Sequence, residues 1–131
     1  MELPKTGQFC WNELATHDIH KAKDFYSKLF GWEFEEIKSD DLTYTLILAG
    51  DKQAGGIWQI SHNQQNTIPS HWMSYIYVDN VEKTLAHAIE LGAKTVKGVS
   101  VAGDMGKLAI IQDPTGAQLA FWEPNLARDG D

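Results

Sequence analysis

Cysteine is almost missing from this chain: Cys10 stands alone among 131 residues, so no disulfide can close within it, which suits a reducing compartment. With Phe9 and Trp11 as neighbours, Cys10 reads as a buried, inert thiol rather than a nucleophile. Positive charge is also scarce. Eleven Lys and Arg face eighteen Asp and Glu, a formal charge of −7 with a pI near 5.1. That balance argues against nucleic acid or an anionic membrane as partner, since both are bound through clustered cations. No apolar run approaches the roughly 20 residues that cross a bilayer. Met1-Glu2-Leu3-Pro4-Lys5 lacks the apolar core of a secretory signal, and the expectation is a cytoplasmic protein. A nucleotide-binding fingerprint is absent as well: no strand-to-helix turn follows Gly98, Gly103 and Gly106, and no P-loop Lys-Ser or Lys-Thr occurs. These glycines read instead as hinges of a loop, with Met105 at its tip.

What the chain has in excess is tryptophan. Five Trp in a sequence that is 43% apolar and 22% charged exceed the needs of folding and favour a site lined with rings. The length fits one domain, 1–131, able to bury about two-thirds of its unfolded surface.

The chain also repeats itself. Phe9 to Ala15 alternates as a strand, with Trp11, Glu13 and Ala15 on one face and Cys10, Asn12 and Leu14 on the other. Asp18 then caps a helix whose apolar stripe is Ile19, Ala22, Phe25, Tyr26 and Leu29, stopped by Gly31. Strands follow at Trp32 to Ile37, Leu42 to Ala49 and Gly56 to Ile60, joined by the polar turns Lys38-Ser39-Asp40-Asp41 and Gly50-Asp51-Lys52. A polar, aperiodic linker spans 61–70. His71 to Val78 is the next strand, and Asn80 caps a second helix with the stripe Val81, Leu85, Ala88 and Leu91. Lys94 to Val99, Lys107 to Gln112 and Ala117 to Trp122 are strands, the last two joined by a type I turn at Asp113-Pro114-Thr115-Gly116. The pattern is α+β: two tandem βαβββ modules, about 7–60 and 71–124.

The run Cys10-Trp11-Asn12-Glu13-Leu14-Ala15-Thr16-His17-Asp18, with Phe25-Tyr26 and Leu29-Phe30-Gly31-Trp32, resembles the vicinal oxygen chelate superfamily of glyoxalase I, bleomycin-resistance proteins and extradiol dioxygenases. Tyr77-Val78-Asp79, Leu91-Gly92 and Asp113-Pro114-Thr115-Gly116 carry the same resemblance in the second half. It implies an open cup-shaped mixed sheet with the helices outside, often paired through a homodimer. It also implies a metal held by His, Gln or Glu from the first and last strands of each module. Placed on this sequence through the spacing to Asp18 and Asp113 and the repeat offset, those positions are Trp11, Gly56, Met73 and Ala120. None can ligate a hard dication, so no cofactor is expected. Glu13 and His71, which share a strand parity with the cup face, keep a divalent metal open as the alternative.

The candidate ligand-binding residues are therefore Trp11, Trp58, Met73, Tyr75, Tyr77, Trp122 and His71, with Glu13 as the ionisable group that could act as a general base. Rings around one carboxylate favour a flat or cationic small molecule. The alternatives are that the rings only fill a collapsed cup or form a dimer interface, with Glu13 in a salt bridge. The function expected is small-molecule binding, against which stands a metal-dependent or Glu13-based lyase, isomerase or dioxygenase.

Overall fold

Asp18 and Asn80 start the two helices in the same way. Each is extended (φ −146° and −149°), and its side chain accepts a hydrogen bond from a backbone N–H of the first turn, Lys21 at 3.0 Å and Lys83 at 2.9 Å. Such a cap is worth about 1 kcal/mol. Gly31 ends the first helix at φ 75°, where its N–H reaches the Ser27 carbonyl at 2.8 Å; only glycine takes that left-handed turn without strain.

The computed structural model describes residues 5–39, 42–61 and 68–125. Within them the elements run β1 (Phe9–Thr16), α1 (Ile19–Phe30), β2 (Glu33–Ser39), β3 (Leu42–Ala49), β4 (Lys52–Gln59), β5 (His71–Tyr77), α2 (Val81–Glu90), β6 (Lys94–Ala102), β7 (Gly106–Gln112) and β8 (Gln118–Pro124). The fold is α+β and the duplication is real. In the first module the strands lie in the order β2-β3-β4-β1, and in the second in the matching order β6-β7-β8-β5. β1 pairs parallel with β4 and β5 parallel with β8, whereas the hairpins β2/β3, β3/β4, β6/β7 and β7/β8 are antiparallel. Most of the predicted linker, 62–67 with His62, lies outside the described residues, as do Asp40, Asp41 and the chain start through Pro4.

The chain divides into two compact units, Trp11–Met73 and Met1–Cys10 with Ser74–Asp131. Gly7 and Gln8, expected at the start of the first module, fold with the second unit: Gly7 N–H donates to the Tyr77 carbonyl at 3.0 Å and Tyr77 N–H to the Gln8 carbonyl at 2.9 Å.

Each unit has its own core. In the first, Leu14, Ile47 and Ile57 are buried beneath Ile19, Ala22 and Tyr26 of α1 with Trp32 and Phe34. In the second, Val78, Val81, Ala109, Ile111 and Phe121 pack with Leu85 and Ala88 of α2. Strand alternation then decides the other face. With Leu14 and Ile57 under α1, Trp11, Glu13, Gly56 and Trp58 point away from it; with Ile76 and Phe121 under α2, Tyr75, Tyr77, Ala120 and Trp122 do the same.

The helix stripes are narrower than periodicity predicts. Phe25 and Leu29 are 55% and 56% exposed, and Leu91 is 67% exposed because the helix has already ended. β4 begins four residues earlier than expected. Gly50 at φ 67° permits a two-residue turn, so Ala49 already pairs with Lys52. β6, β7 and β8 likewise extend past their predicted ends, to Ala102, Gly106 and Pro124.

Burial sets the expected cost of truncation. Ile57→Ala, at a fully buried site, lowers unfolding free energy by about 2–5 kcal/mol, while Leu29→Ala changes it by about 0.5 kcal/mol or less. Urea denaturation of the two variants checks the contrast, and equal losses would show that α1 is more deeply packed than this.

Candidate functional site

A glycine makes the site of the first module. β1 and β4 align Glu13 with Gly56 and Ala15 with Trp58. Next to them β3 aligns Leu46 with Gly56, and from this strand Tyr44 lays its ring over Gly56. A Cβ built on Gly56 would collide with the Tyr44 hydroxyl and ring. The missing methyl is thus the room in which the phenol sits.

There the phenol joins two residues of β1. Trp11 Nε1 donates to Tyr44 Oη at 2.8 Å, and Tyr44 Oη donates to Glu13 Oε2 at 2.7 Å. Glu13 is only 8% exposed, and a carboxylate so placed needs such donors to offset lost hydration. No buried side-chain nitrogen or oxygen among the described residues lacks a partner. Burial, then the Glu13 charge and its hydrogen bond, hold the Tyr44 hydroxyl well above the ordinary phenol range, against a smaller opposing effect of the Trp11 N–H. Tyr44 therefore stays a proton donor at every physiological pH.

The second module presents the same face with different residues. Tyr75 aligns with Ala120 and Tyr77 with Trp122, which upholds the equivalence of Gly56 with Ala120 and of Trp58 with Trp122. Tyr75 and Tyr77 are buried, and the Tyr75 and Trp122 rings meet edge to face at 6.5 Å and 83°. Ile110, not a tyrosine, aligns with Ala120 from β7, and Leu108 aligns with Trp122. Met73 is buried, and His71 Nδ1 donates to the Pro69 carbonyl at 2.7 Å.

The positions at which the resemblance places metal ligands do not fit a divalent cation. In the first module they are an indole already donating its N–H and a glycine whose open side holds Tyr44; in the second they are a thioether and a methyl group. Among the described residues no three of His, Cys, Asp and Glu come together.

Two features escape the sequence pattern. Tyr44 is one: its partners lie 31 and 33 residues away, and the only signal was a glycine opposite a glutamate at a strand centre. The other is a group of rings on the helix side of the first module. Tyr26 stands against Trp32, Phe30, Phe25 and Trp72 at 4.9–6.3 Å, and Trp72 Nε1 donates to Tyr26 Oη at 3.2 Å. Phe30 is 60% and Trp72 43% exposed. Two of the five tryptophans thus serve this surface, opposite the face of Trp11 and Trp58. Residues 103–105, expected to lie in a hinged loop, form the turn of the β6/β7 hairpin, closed by the pairing of Ala102 with Gly106. It is pinned by Asn125, whose N–H donates to the Met105 carbonyl at 2.9 Å and whose Nδ2 donates to the Asp104 carbonyl at 3.3 Å.

Gly56→Ala is expected to drive Tyr44 off its partners and cost about 2–4 kcal/mol of stability. In a Tyr44→Ala background the same substitution costs under about 1 kcal/mol, and a double-mutant cycle by denaturant melts reads the difference. Alkaline pH supplies a second check. Because the folded-state pKa of Tyr44 is raised, its contribution is complete below the unfolded phenol value of about 10 and is lost as pH climbs beyond it. Stability should fall above about pH 10 more steeply in the native protein than in Tyr44→Phe.

The family model described as Glyoxalase/Bleomycin resistance protein/Dioxygenase superfamily matches residues 8–121. CFP32 of Mycobacterium bovis, a glyoxylase by name, is 28% identical over 130 residues, covering 94% of this chain and 50% of its own length. The anthracycline biosynthesis protein DnrV of Streptomyces peucetius is 24% identical, over 92% of this chain and 48% of its own. The chain thus spans about half the length of these relatives. Among solved structures, methylmalonyl-CoA epimerase from Mycobacterium tuberculosis superposes with a TM-score of 0.65 at 14% identity, covering 100% of this chain and 97% of that one. A homoprotocatechuate 2,3-dioxygenase variant from B. fuscum gives 0.60 at 17% identity, over 92% and 33%; at such identities the likeness is one of fold. With the match running through both modules, the chain belongs to the glyoxalase/bleomycin resistance protein/dioxygenase superfamily.

Proposed function

We propose that this protein binds a flat aromatic or cationic small molecule against the ring-bearing faces of its modules, and does so without a resident metal ion. The observation that carries this reading is the Tyr44 hydroxyl over Gly56, joined to Trp11 and Glu13. Side chains take the room that a ligand set would need in the first module, and the second offers only Met73 and Ala120 at the matching positions. Trp11, Trp58 and Trp122, each only partly buried, supply stacking surfaces backed by the buried Tyr75 and Tyr77, each ring contact worth about 0.5–1.5 kcal/mol beyond its buried area. The buried Glu13 carboxylate and a net charge of −7 favour a cation over an anion. A relative named for anthracycline biosynthesis supports a polycyclic ligand. A single cysteine supports a cytoplasmic setting, and the family resemblance supports a homodimer.

One observation favours turnover instead. Glu13 is a buried carboxylate beside a proton donor, the arrangement a general base and its acid partner would use, and one relative carries the name of a glyoxylase.

Titration with acridine orange, a flat cation, tests the first reading through quenching of tryptophan fluorescence. Micromolar binding is expected, unchanged by EDTA and weakened at least tenfold in Trp58→Ala. Protein purified with stoichiometric nickel, zinc, iron or manganese, whose binding vanishes on chelation, would sink it. A turnover of glyoxalase substrates that is lost in Glu13→Gln, with the metal content still nil, would move the assignment to metal-free catalysis.

A further inference from the structure

A cleft of about 410 Å³ opens within the second unit. Its walls come from three places: the end of β5 with Tyr77 and Asp79, the β6/β7 hairpin with Val101 and Lys107, and the end of β8 with Glu123 and Pro124. The volume lies in the range of small-molecule pockets, about 300–1,000 Å³. Its rim is well fixed. The hairpin turn is tied to Asn125, as described above, and Tyr77 is held through both its N–H and its carbonyl by Gln8 and Gly7.

The charges on this cleft have a clear sign. Lys107 Nζ is engaged by Glu82 at 3.0 Å, an exposed pair, which leaves Lys107 compensated. The N-terminus of α2, where an anion would otherwise settle, is already served by this chain: Glu123 Oε1 accepts the Val81 N–H at 2.9 Å. Of the lining residues, Asp79 and Glu123 are acidic against one ammonium, Lys107, which Glu82 already pairs. Apolar surface from Val101, Pro124 and Tyr77 adjoins them. An anionic ligand would meet two carboxylates and an occupied helix end, and a neutral one would leave the carboxylates to water. A divalent ion is not matched either, since no three acidic or imidazole groups of the described residues converge.

From these walls we infer that the cleft is a second binding site, one that takes an organic ammonium ion with its charged head between Asp79 and Glu123 and its apolar body along Val101 and Pro124. Tyr77 is the one wall residue that also belongs to the ring-bearing face; the inference does not depend on whether Trp11 and Trp58 receive a ligand.

Benzylamine and benzyl alcohol test it, since they share a body and differ in the charged head. Amide shifts of the full chain are followed by NMR at fixed ionic strength. Benzylamine is expected to move the amides of Tyr77, Gly103, Gly106 and Lys107 along one saturable curve, with benzyl alcohol at equal concentration at least tenfold weaker. Asp79→Asn with Glu123→Gln should weaken benzylamine at least tenfold, the glutamine oxygen still being able to accept the Val81 N–H. Should that double variant unfold, Asp79→Asn alone, at an exposed residue, is expected to weaken binding about threefold or more. Shifts scattered over the acidic surface, equal binding of the two probes, preference for benzoate, or indifference to Asp79→Asn would each overturn the assignment. Trp58→Ala should leave the benzylamine response unchanged while acridine orange weakens, so failure of one site is told apart from failure of the other.

Discussion

A phenol hydroxyl 2.7 Å from a buried carboxylate constrains everything around it in the first module. Glu13 is buried and needs donors to offset its lost hydration, Tyr44 cannot reach it unless Gly56 lacks a side chain, and Trp11 fixes the phenol from the far side. Four residues on three strands therefore stand or fall together. Their coupling explains why the position expected to hold a ligand atom on β4 is a glycine. It gives room to a neighbour instead of offering a donor of its own.

The equivalent place in the second module shows that the coupling belongs to one half alone. There Ile110 faces Ala120 where Leu46 faces Gly56, and no tyrosine leans across. The duplicated frame is retained strand for strand, while the side chains on the face away from the helices differ, with Tyr44 over Gly56 in the first module and Ile110 beside Ala120 in the second. A shared scaffold with different linings is how folds of this kind acquire different tasks.

Much of this was legible in the sequence because it depends on short-range pattern. Alternation from Phe9 to Thr16 places Trp11 and Glu13 together, the caps Asp18 and Asn80 locate both helices, and the repeat offset aligns residues that the strand register also aligns. The remainder depends on distances that pattern does not encode. Tyr44 matters through partners more than thirty residues away. Phe25 and Leu29 keep helical spacing, yet periodicity cannot state how wide a stripe the sheet will cover, and here it covers Ile19, Ala22 and Tyr26. The 103–105 turn looked free because its anchor, Asn125, follows it by some twenty residues.

The rings of Phe25, Phe30 and Trp72, left partly in water on the helix side, carry a colloidal consequence. At neutral pH a net charge of −7 opposes non-specific adhesion through this greasy patch. Near pH 5.1 that repulsion vanishes while the rings stay uncovered. Adhesion between intact molecules through these rings is then no longer opposed by charge.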